Sequence, residues 1–161
     1  MKIEKIKLTK ENLEKIMLID QKFYNDDTLT LEWYLERYND SHDAYVLINE
    51  VNKISGYIVS VPIKKELYDA IINGVLVNDV YINPKMFLND SKYNYVISCV
   101  IDEEYRKQNY GTKLMQTLVD DVKGKLCALS VSKGGYSLAN KFLKLKETID
   151  YPIAIFVKDS E

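Results

Sequence analysis

The sequence has a single histidine, His42, and only two cysteines, Cys99 and Cys127, among its 161 residues. One histidine does not support a histidine-based metal centre, and neither cysteine stands at the spacing of a zinc ligand. Each cysteine lies inside an apolar run, so we expect two reduced thiols packed as small core residues. The sequence therefore predicts no metal site.

The sequence also lacks an excess of charge and any long apolar run. It has 22 basic and 24 acidic residues and a net charge of −2, with no long basic segment to grip nucleic acid. No apolar run is long enough to cross a membrane, and no signal peptide opens the chain. We expect a cytoplasmic monomer or homodimer, with residues 1–161 forming one domain and no nucleic-acid or membrane partner.

The most informative stretch of the sequence runs from residue 94 to residue 122. Residues 93–101 are rich in β-branched and aromatic side chains, which predicts a buried strand. From Thr112 the apolar residues recur at helical spacing, which predicts an amphipathic helix. They are Leu114, Met115, Leu118, Val119 and Val122.

A short basic turn, residues 106–112, joins this strand to this helix. A turn that feeds directly into a helix points several unpaired backbone N–H groups at one spot, and the helix dipole adds partial positive charge there. Arg106, Lys107 and Lys113 add full charges. The turn is therefore suited to hold a phosphate or a pyrophosphate. The alternative is a solvated loop that caps an ordinary helix.

The pattern Arg-x-x-Asn-x-Gly in this turn resembles the acyl-CoA motif of the GNAT superfamily of N-acetyltransferases, Gln/Arg-x-x-Gly-x-Gly/Ala at a strand-to-helix junction. Arg106 matches the first position and Gly111 the last. Asn109 stands at the first glycine, and asparagine tolerates the left-handed conformation. The resemblance implies an α/β (α+β) fold: a single GNAT-like domain with a mixed central sheet of six or seven strands, flanked by helices, whose fourth and fifth strands splay apart.

The resemblance also implies how the chain would bind acetyl-CoA, or CoA, as its co-substrate. Backbone N–H groups of the turn would hold the pyrophosphate, and the end of the preceding strand would pair with the pantetheine arm. A backbone N–H near Val100 would polarise the thioester carbonyl. The implied cofactor-binding residues are Cys99, Val100, Ile101, Arg106, Lys107, Gln108, Asn109, Tyr110, Gly111 and Thr112.

Two side chains are candidates for the catalytic transfer of protons. Many GNAT enzymes protonate the leaving thiolate with a tyrosine in the pattern Asn-x-x-Ala-x-x-Phe-Tyr. Aligned on Ala139 and Phe142, this chain has Leu143 at that tyrosine and Tyr136 at the asparagine. Tyr136 is the candidate substitute acid, and a packed aromatic is the alternative. Asp79 lies in an apolar stretch where partial burial would raise its pKa, so it is the candidate general base, with an ordinary turn residue as the alternative.

The first part of the chain follows the order of elements in the family. Residues 2–8 predict an edge strand, and Thr9 and Thr30 are candidate N-caps of two helices. We expect the first helix to fray at residues 20–24 and a turn to occupy residues 25–28. The helix junction forms part of the acceptor site in the family.

The middle of the chain predicts a hairpin of residues 44–48 and 54–61. It is followed by an excursion over residues 64–92, far longer than a hairpin loop and with apolar residues of its own. We expect this excursion to be ordered, either as a lid or substrate pocket or as a structural flap over the core.

The last part predicts a fifth strand at residues 125–131, a loop at 132–135, a helix at 136–144 and a final strand at 153–157. The sixth and seventh strands of the family would therefore be compressed in this chain.

The leading hypothesis is an N-acetyltransferase that moves an acetyl group from acetyl-CoA to a primary amine of an unidentified small molecule or peptide. The missing tyrosine at Leu143 motivates a second, a non-catalytic GNAT-fold module that binds acyl-CoA and regulates. A nucleotide-binding domain ranks last, because the chain lacks the glycine-rich first turn and later acidic residue of dinucleotide folds.

Overall fold

Seven strands and five α-helices make up most of the structure, a computed structural model that describes residues 1–24, 29–76 and 78–158. In chain order they are β1 (Lys2–Lys7), α1 (Lys10–Tyr24), α2 (Leu31–Arg37), β2 (Asp43–Ile48), β3 (Ile54–Pro62), α3 (Lys65–Ile72), β4 (Tyr93–Ile101), α4 (Tyr110–Asp121), β5 (Lys125–Ser130), α5 (Lys133–Phe142), β6 (Lys144–Asp150) and β7 (Ile153–Lys158). The strands form a mixed sheet in the order β1-β2-β3-β4-β5-β7-β6. The predicted fold class is confirmed.

One compact unit comprises residues 1–59 and 98–118. In it β1 pairs antiparallel with β2, and β2 pairs antiparallel with β3. The edge strand β1 exposes most of its side chains, whereas β2 is buried over five of its six residues. The core of this unit includes Leu8, Leu13, Ile16, Val46, Leu47, Ile58, Val100, Leu114 and Leu118.

The other unit comprises residues 60–97 and the described residues from 119 onward. In it β7 pairs antiparallel with both β5 and β6. The parallel pairing of β4 with β5 runs from Tyr93 and Lys125 to Val96 and Ala128, which is consistent with two strands that splay apart. The core of this unit includes Val61, Ile63, Leu67, Tyr68, Ile71, Ile82, Leu126, Cys127, Ile155 and Phe156.

The helix starts follow the capping residues that the sequence indicates. Thr9 Oγ1 accepts a hydrogen bond from Asn12 N at 3.2 Å, and Thr30 Oγ1 accepts one from Trp33 N at 3.2 Å. Each cap satisfies a backbone donor that the first helical turn leaves unpaired. Both predicted N-caps are confirmed, whereas the predicted turn at residues 25–28 lies outside the described residues.

Three sequence-based boundaries are wrong. Helix α1 does not fray at residue 20 but continues to Tyr24. Helix α5 begins at Lys133, inside the predicted loop, because Ser132 caps it by accepting a hydrogen bond from Gly135 N at 3.0 Å. The C-terminal edge is not compressed, because β6 is a full strand; all seven of its residues are exposed, so no apolar alternation marks it.

The excursion over residues 64–92 is ordered, as predicted. It contains α3 and two short 3₁₀ helices, Asp79–Tyr81 and Pro84–Met86. A backbone bond from Leu88 N to Pro62 O at 2.9 Å fastens it to the end of β3, and one from Lys64 N to Met86 O at 3.0 Å closes the excursion on itself. Its function as a lid or as a flap stays a prediction. In the part of the chain that the structure describes, no helix combines the length and the apolar character needed to cross a bilayer.

Replacing Gly124 by alanine is expected to lower the free energy of unfolding by about 2–4 kcal/mol. Gly124 has a φ of +95°, and a Cβ built there lies 2.5 Å from the Lys92 carbonyl oxygen, so backbone must move. Gly134→Ala is the matched control, since a Cβ there meets nothing within 4 Å. Urea unfolding measures both variants; equal stability of the two would contradict the steric argument.

Candidate active site

The turn that follows β4 is fastened at both of its ends. Asp102 N donates to Ser55 O at 2.8 Å, and a 3₁₀ turn, Glu103–Tyr105, follows directly. Arg106 Nε donates to Ile101 O at 2.9 Å, so the side chain of Arg106 closes the turn back onto the end of the strand. The turn is therefore a built structure rather than a loose connection.

Two residues of this turn adopt the left-handed conformation, Lys107 with a φ of 61° and Asn109 with a φ of 65°. Asn109 thus does what the sequence predicts for the residue at the first glycine of the motif. Its carbonyl oxygen accepts the hydrogen bond from Lys113 N at 3.1 Å that opens α4. Helix α4 begins at Tyr110, two residues earlier than predicted, and Gly111 is its second residue.

Five consecutive backbone N–H groups in this turn, those of residues 107–111, donate to no other described residue. The first of them precede α4 and the last two belong to its first turn, where no intrahelical acceptor exists. Residues 106–109 are exposed. These donors and the positive end of the helix dipole together suit a phosphate group.

The basic side chains of the turn are engaged to different degrees. The Arg106 guanidinium lies 5.0 Å from the centre of the Phe23 ring, and Lys113 Nζ lies 5.3 Å from that of the Tyr110 ring. Lys107 is exposed and contacts no charged group of the described residues. Lys107 is therefore the cation of this turn with the greatest freedom to meet an anion.

The last residues of β4 carry the other predicted cofactor contacts. Burial raises the pKa of the half-buried Cys99 thiol to about 12, which favours the neutral thiol at physiological pH. Gly56 on β3 lets the chains approach closely, because a Cβ there would lie 3.1 Å from Val100 O and 2.8 Å from Ile101 Cδ1.

A groove of about 730 Å³ runs beside the turn. Its walls include Phe23 from α1, Arg106, and the carboxylates of Asp102 and Glu104. Lys22 Nζ lies 3.4 Å from Asp102 Oδ2 within it. The groove has the volume of a small-molecule site and carries charges of both signs.

Asp79, the candidate base, belongs to the second unit and is the first residue of the 3₁₀ helix Asp79–Tyr81. Its Oδ1 accepts a hydrogen bond from Tyr95 Oη at 2.6 Å. Burial raises the pKa of the Asp79 carboxyl to about 6, although the hydrogen bond from Tyr95 opposes that shift. Such a group is ionised at neutral pH and takes up a proton readily.

Tyr136, the candidate acid, packs its ring edge-on against Tyr151 and Phe156, with centroid distances of 4.9 Å and 5.2 Å. Its hydroxyl makes no hydrogen bond to any of the described residues. Leu143, at the position of the missing tyrosine, is 7% exposed and caps the C-terminus of α5. The structure leaves both catalytic assignments as predictions.

A buried polar cluster in the first unit was missed by the sequence reasoning. Asp20 on α1 is 1% exposed and accepts hydrogen bonds from Tyr34 Oη at 2.7 Å and from Tyr57 Oη. Tyr57 Oη in turn lies 2.8 Å from Ser98 Oγ on β4. Asp20 follows Leu13 and Ile16 on the apolar face of α1, so a carboxylate at a core position was the available signal.

The model of the acetyltransferase (GNAT) family matches residues 11–142. No curated protein matches the chain.

Solved structures of the same fold cover nearly the whole chain. The loading GNATL domain of CurA from Lyngbya majuscula has a TM-score of 0.69 at 14% identity, covering 99% of this chain and 98% of that one. The ribosomal-protein-S18-alanine N-acetyltransferase from Escherichia coli has a TM-score of 0.63 at 10% identity, covering 99% of this chain and 96% of that one. Arabidopsis thaliana NAA60 in complex with acetyl-CoA has a TM-score of 0.62 at 12% identity, covering 98% of this chain and 99% of that one. At these identities the likeness establishes the fold.

Proposed function

The chain belongs to the GNAT acetyltransferase family, and from this premise we propose that it transfers an acetyl group from acetyl-CoA to a primary amine of a small molecule or peptide. Membership of the family supports acyltransferase activity in general. Among the similar structures, Arabidopsis thaliana NAA60 is a complex with acetyl-CoA, which supports the choice of co-substrate.

The row of unpaired N–H groups at residues 107–111 is the observation that carries this proposal. We assign these groups, with Thr112 and the exposed Lys107, to the pyrophosphate of CoA. Hydrogen bonds from backbone N–H groups to an anion are stronger than those to a neutral acceptor, and this turn offers several such donors in consecutive residues. Arg106 has a structural part in this proposal, because its side chain donates a hydrogen bond to Ile101 O and so holds the turn in shape.

The strand residues Cys99, Val100 and Ile101 are proposed to hold the remainder of the co-substrate through their backbone. A backbone N–H near Val100 would donate to the thioester carbonyl, whose oxygen gains negative charge as the amine attacks. None of these contacts depends on side-chain identity. The loose match of this chain to the family motif is therefore compatible with the same chemistry.

The reaction moves protons as well as the acetyl group. The amine nitrogen forms a bond to the carbonyl carbon while the bond from that carbon to sulfur breaks. The nitrogen of a protonated amine gives up two protons in all, whereas the thiolate of CoA receives its proton from a separate donor, which later regains one from solvent. Asp79 is the proposed acceptor of one proton, and Tyr136 is the proposed donor to the thiolate.

A second candidate function is a GNAT-fold module that binds acyl-CoA without turnover. The observation that favours it is the buried Leu143 at the place where the family pattern has a tyrosine. The two candidates share the phosphate-binding turn and differ only in acyl transfer.

Calorimetry with acetyl-CoA, followed by a screen of amine acceptors with detection of free thiol, tests both functions. Binding and acceptor-dependent thiol release are expected for the transferase. Binding with no release from any acceptor would favour the binding module. No binding at millimolar acetyl-CoA would overturn both candidates.

A further inference from the structure

A continuous chain of hydrogen-bonded oxygens crosses the first unit from α1 to β4. It starts at the Asp20 carboxylate, passes through the Tyr57 hydroxyl and ends at the Ser98 hydroxyl, with 2.8 Å between Tyr57 Oη and Ser98 Oγ. Its inner part is sealed, because Asp20 and Tyr57 are each 1% exposed. Its outer end is the hydroxyl of half-buried Ser98, which hydrogen-bonds to Tyr57 and to no other side chain of the described residues.

A sealed carboxylate at the end of such a chain calls for a reason beyond stability. Burying a charge is costly, and replacing a buried polar group by an apolar one is often neutral or stabilising. Both oxygens of Asp20 accept tyrosine hydroxyls, so the carboxylate is held in one orientation. An apolar residue at this position of α1 would fill the core without needing any hydrogen-bond partner, so stability alone does not explain the choice of aspartate.

The outer end of the chain lies on the strand segment that the proposed function uses. Ser98 is two residues before Val100, so the two side chains share one face of β4. Ser98 also lies beyond the four residues of β4 that pair with β5, which end at Val96. Its hydroxyl is therefore on the part of β4 assigned to the thioester.

We propose that Ser98, Tyr57 and Asp20 form a proton relay that accepts the proton the substrate ammonium loses before it attacks the thioester. This inference rests on the proposed function, which leaves one acceptor unassigned because the nitrogen loses two protons and Asp79 takes one. Ser98 touches the substrate and is the catalytic residue, whereas Tyr57 and Asp20 act through it and are positioning residues.

The protons balance along the relay. A proton of the ammonium passes to Ser98 Oγ, the hydroxyl proton of Ser98 passes to Tyr57 Oη, and that of Tyr57 passes to Asp20 Oδ1. The nitrogen keeps the electron pair with which it attacks the carbonyl carbon. Asp20 ends as a neutral carboxylic acid, and the relay resets when the proton returns to solvent.

Two titratable groups among the described residues hydrogen-bond to Asp20, namely Tyr34 from α2 and Tyr57 from β3. Burial raises the pKa of Asp20, and the hydrogen bonds from the two tyrosines oppose that rise. Burial, followed by the charge of Asp20, raises the pKa of Tyr57 well above its usual value. Tyr57 therefore conducts a proton without becoming a stable tyrosinate, and Asp20 is a stronger base than an exposed aspartate.

Three variants interrupt the relay, namely Ser98→Ala, Tyr57→Phe and Asp20→Asn. Each is expected to lower kcat/KM for the amine about 100-fold, near the lower end of what general-base catalysis contributes. The rising limb of the kcat/KM profile should also move to higher pH, because unassisted loss of the ammonium proton then limits the rate. The affinity for acetyl-CoA should stay unchanged.

Tyr34→Phe is the matched control. It removes the other hydrogen bond to Asp20 and lies outside the path to Ser98. A merely structural role of the cluster predicts equal losses of kcat/KM from Tyr34→Phe and Tyr57→Phe, whereas the relay predicts the 100-fold loss for Tyr57→Phe and not for Tyr34→Phe. Asp20 is fully buried, so Asp20→Asn could fail to fold. Ser98 is only half-buried, and the Ser98→Ala variant then decides between these outcomes.

The possible results separate this inference from the proposed function. An active wild-type chain whose Ser98→Ala variant keeps both its rate and its pH profile overturns the relay alone. A wild-type chain that binds acetyl-CoA but acetylates no amine overturns the transfer reaction and the relay with it.

Discussion

A chain in which Gly111 is replaced by leucine is expected to bind acetyl-CoA about 100-fold more weakly, a loss of about 2.7 kcal/mol. Gly111 is the second residue of α4 and closes the row of unpaired N–H groups at residues 107–111. A helical side chain leans toward the N-terminus of its helix, so the leucine would cover the turn before it. The expected loss equals one or two charge-assisted hydrogen bonds.

Gly134→Leu is the matched control for this variant. Gly134 is the second residue of α5, and a Cβ there meets nothing within 4 Å. Replacing glycine by leucine favours helix formation at both positions, and urea unfolding of both variants checks that each is folded at the calorimetry temperature. Calorimetry with acetyl-CoA should show full affinity for Gly134→Leu. Full affinity of Gly111→Leu as well would mean that the pyrophosphate does not bind at this turn.

The strand, turn and helix around Asn109 could be predicted because each is coded locally. β-branched residues, a short basic segment and helical periodicity follow one another in the sequence of β4 and α4. Asparagine at the left-handed position φ 65° follows from backbone sterics alone. The N-caps Thr9 and Thr30 were predictable for the same reason, since a cap acts within three residues of itself.

The polar cluster around Asp20 could not be assembled from sequence, because its partners stand far apart in the chain. Tyr34, Tyr57 and Ser98 lie 14 to 78 positions away, and only the fold brings their oxygens together. The wrong expectation that α1 frays at residue 20 has the same origin. A charged residue resembles a helix end until its buried partners are known.

Strand β6 escaped prediction for a different physical reason. Every residue of β6 is exposed, and its pairing with β7 depends on backbone hydrogen bonds rather than on buried side chains. Apolar alternation marks a strand only where one of its faces is covered. A strand that is exposed on both faces, as β6 is, therefore leaves little trace in a sequence, whereas the partly covered edge strand β1 was predicted.

Asp79→Asn is expected to become more stable than the wild type as pH rises. Burial raises the pKa of Asp79 in the folded state from its ordinary value of 3.8 to about 6. The folded chain therefore holds this proton more tightly than the unfolded chain does. The stabilising contribution is complete below pH 3.8 and is lost as pH rises through 6. The total loss is about 3 kcal/mol, from 1.36 kcal/mol per pH unit.

The same substitution tests the proposed role of Asp79 in catalysis. Asparagine retains an oxygen that can accept the hydrogen bond from Tyr95, so packing is preserved, but it cannot take a proton. Urea unfolding from pH 4 to pH 8 should show the stability difference growing to its full value near pH 7. Above that pH, kcat should fall about 100-fold if Asp79 accepts a proton during transfer. Asp90→Asn, at an exposed carboxylate of the same unit, controls for charge alone. A variant with the expected stability gain and unchanged kcat would make Asp79 a structural acid, and would leave the Ser98 relay as the route for the amine proton.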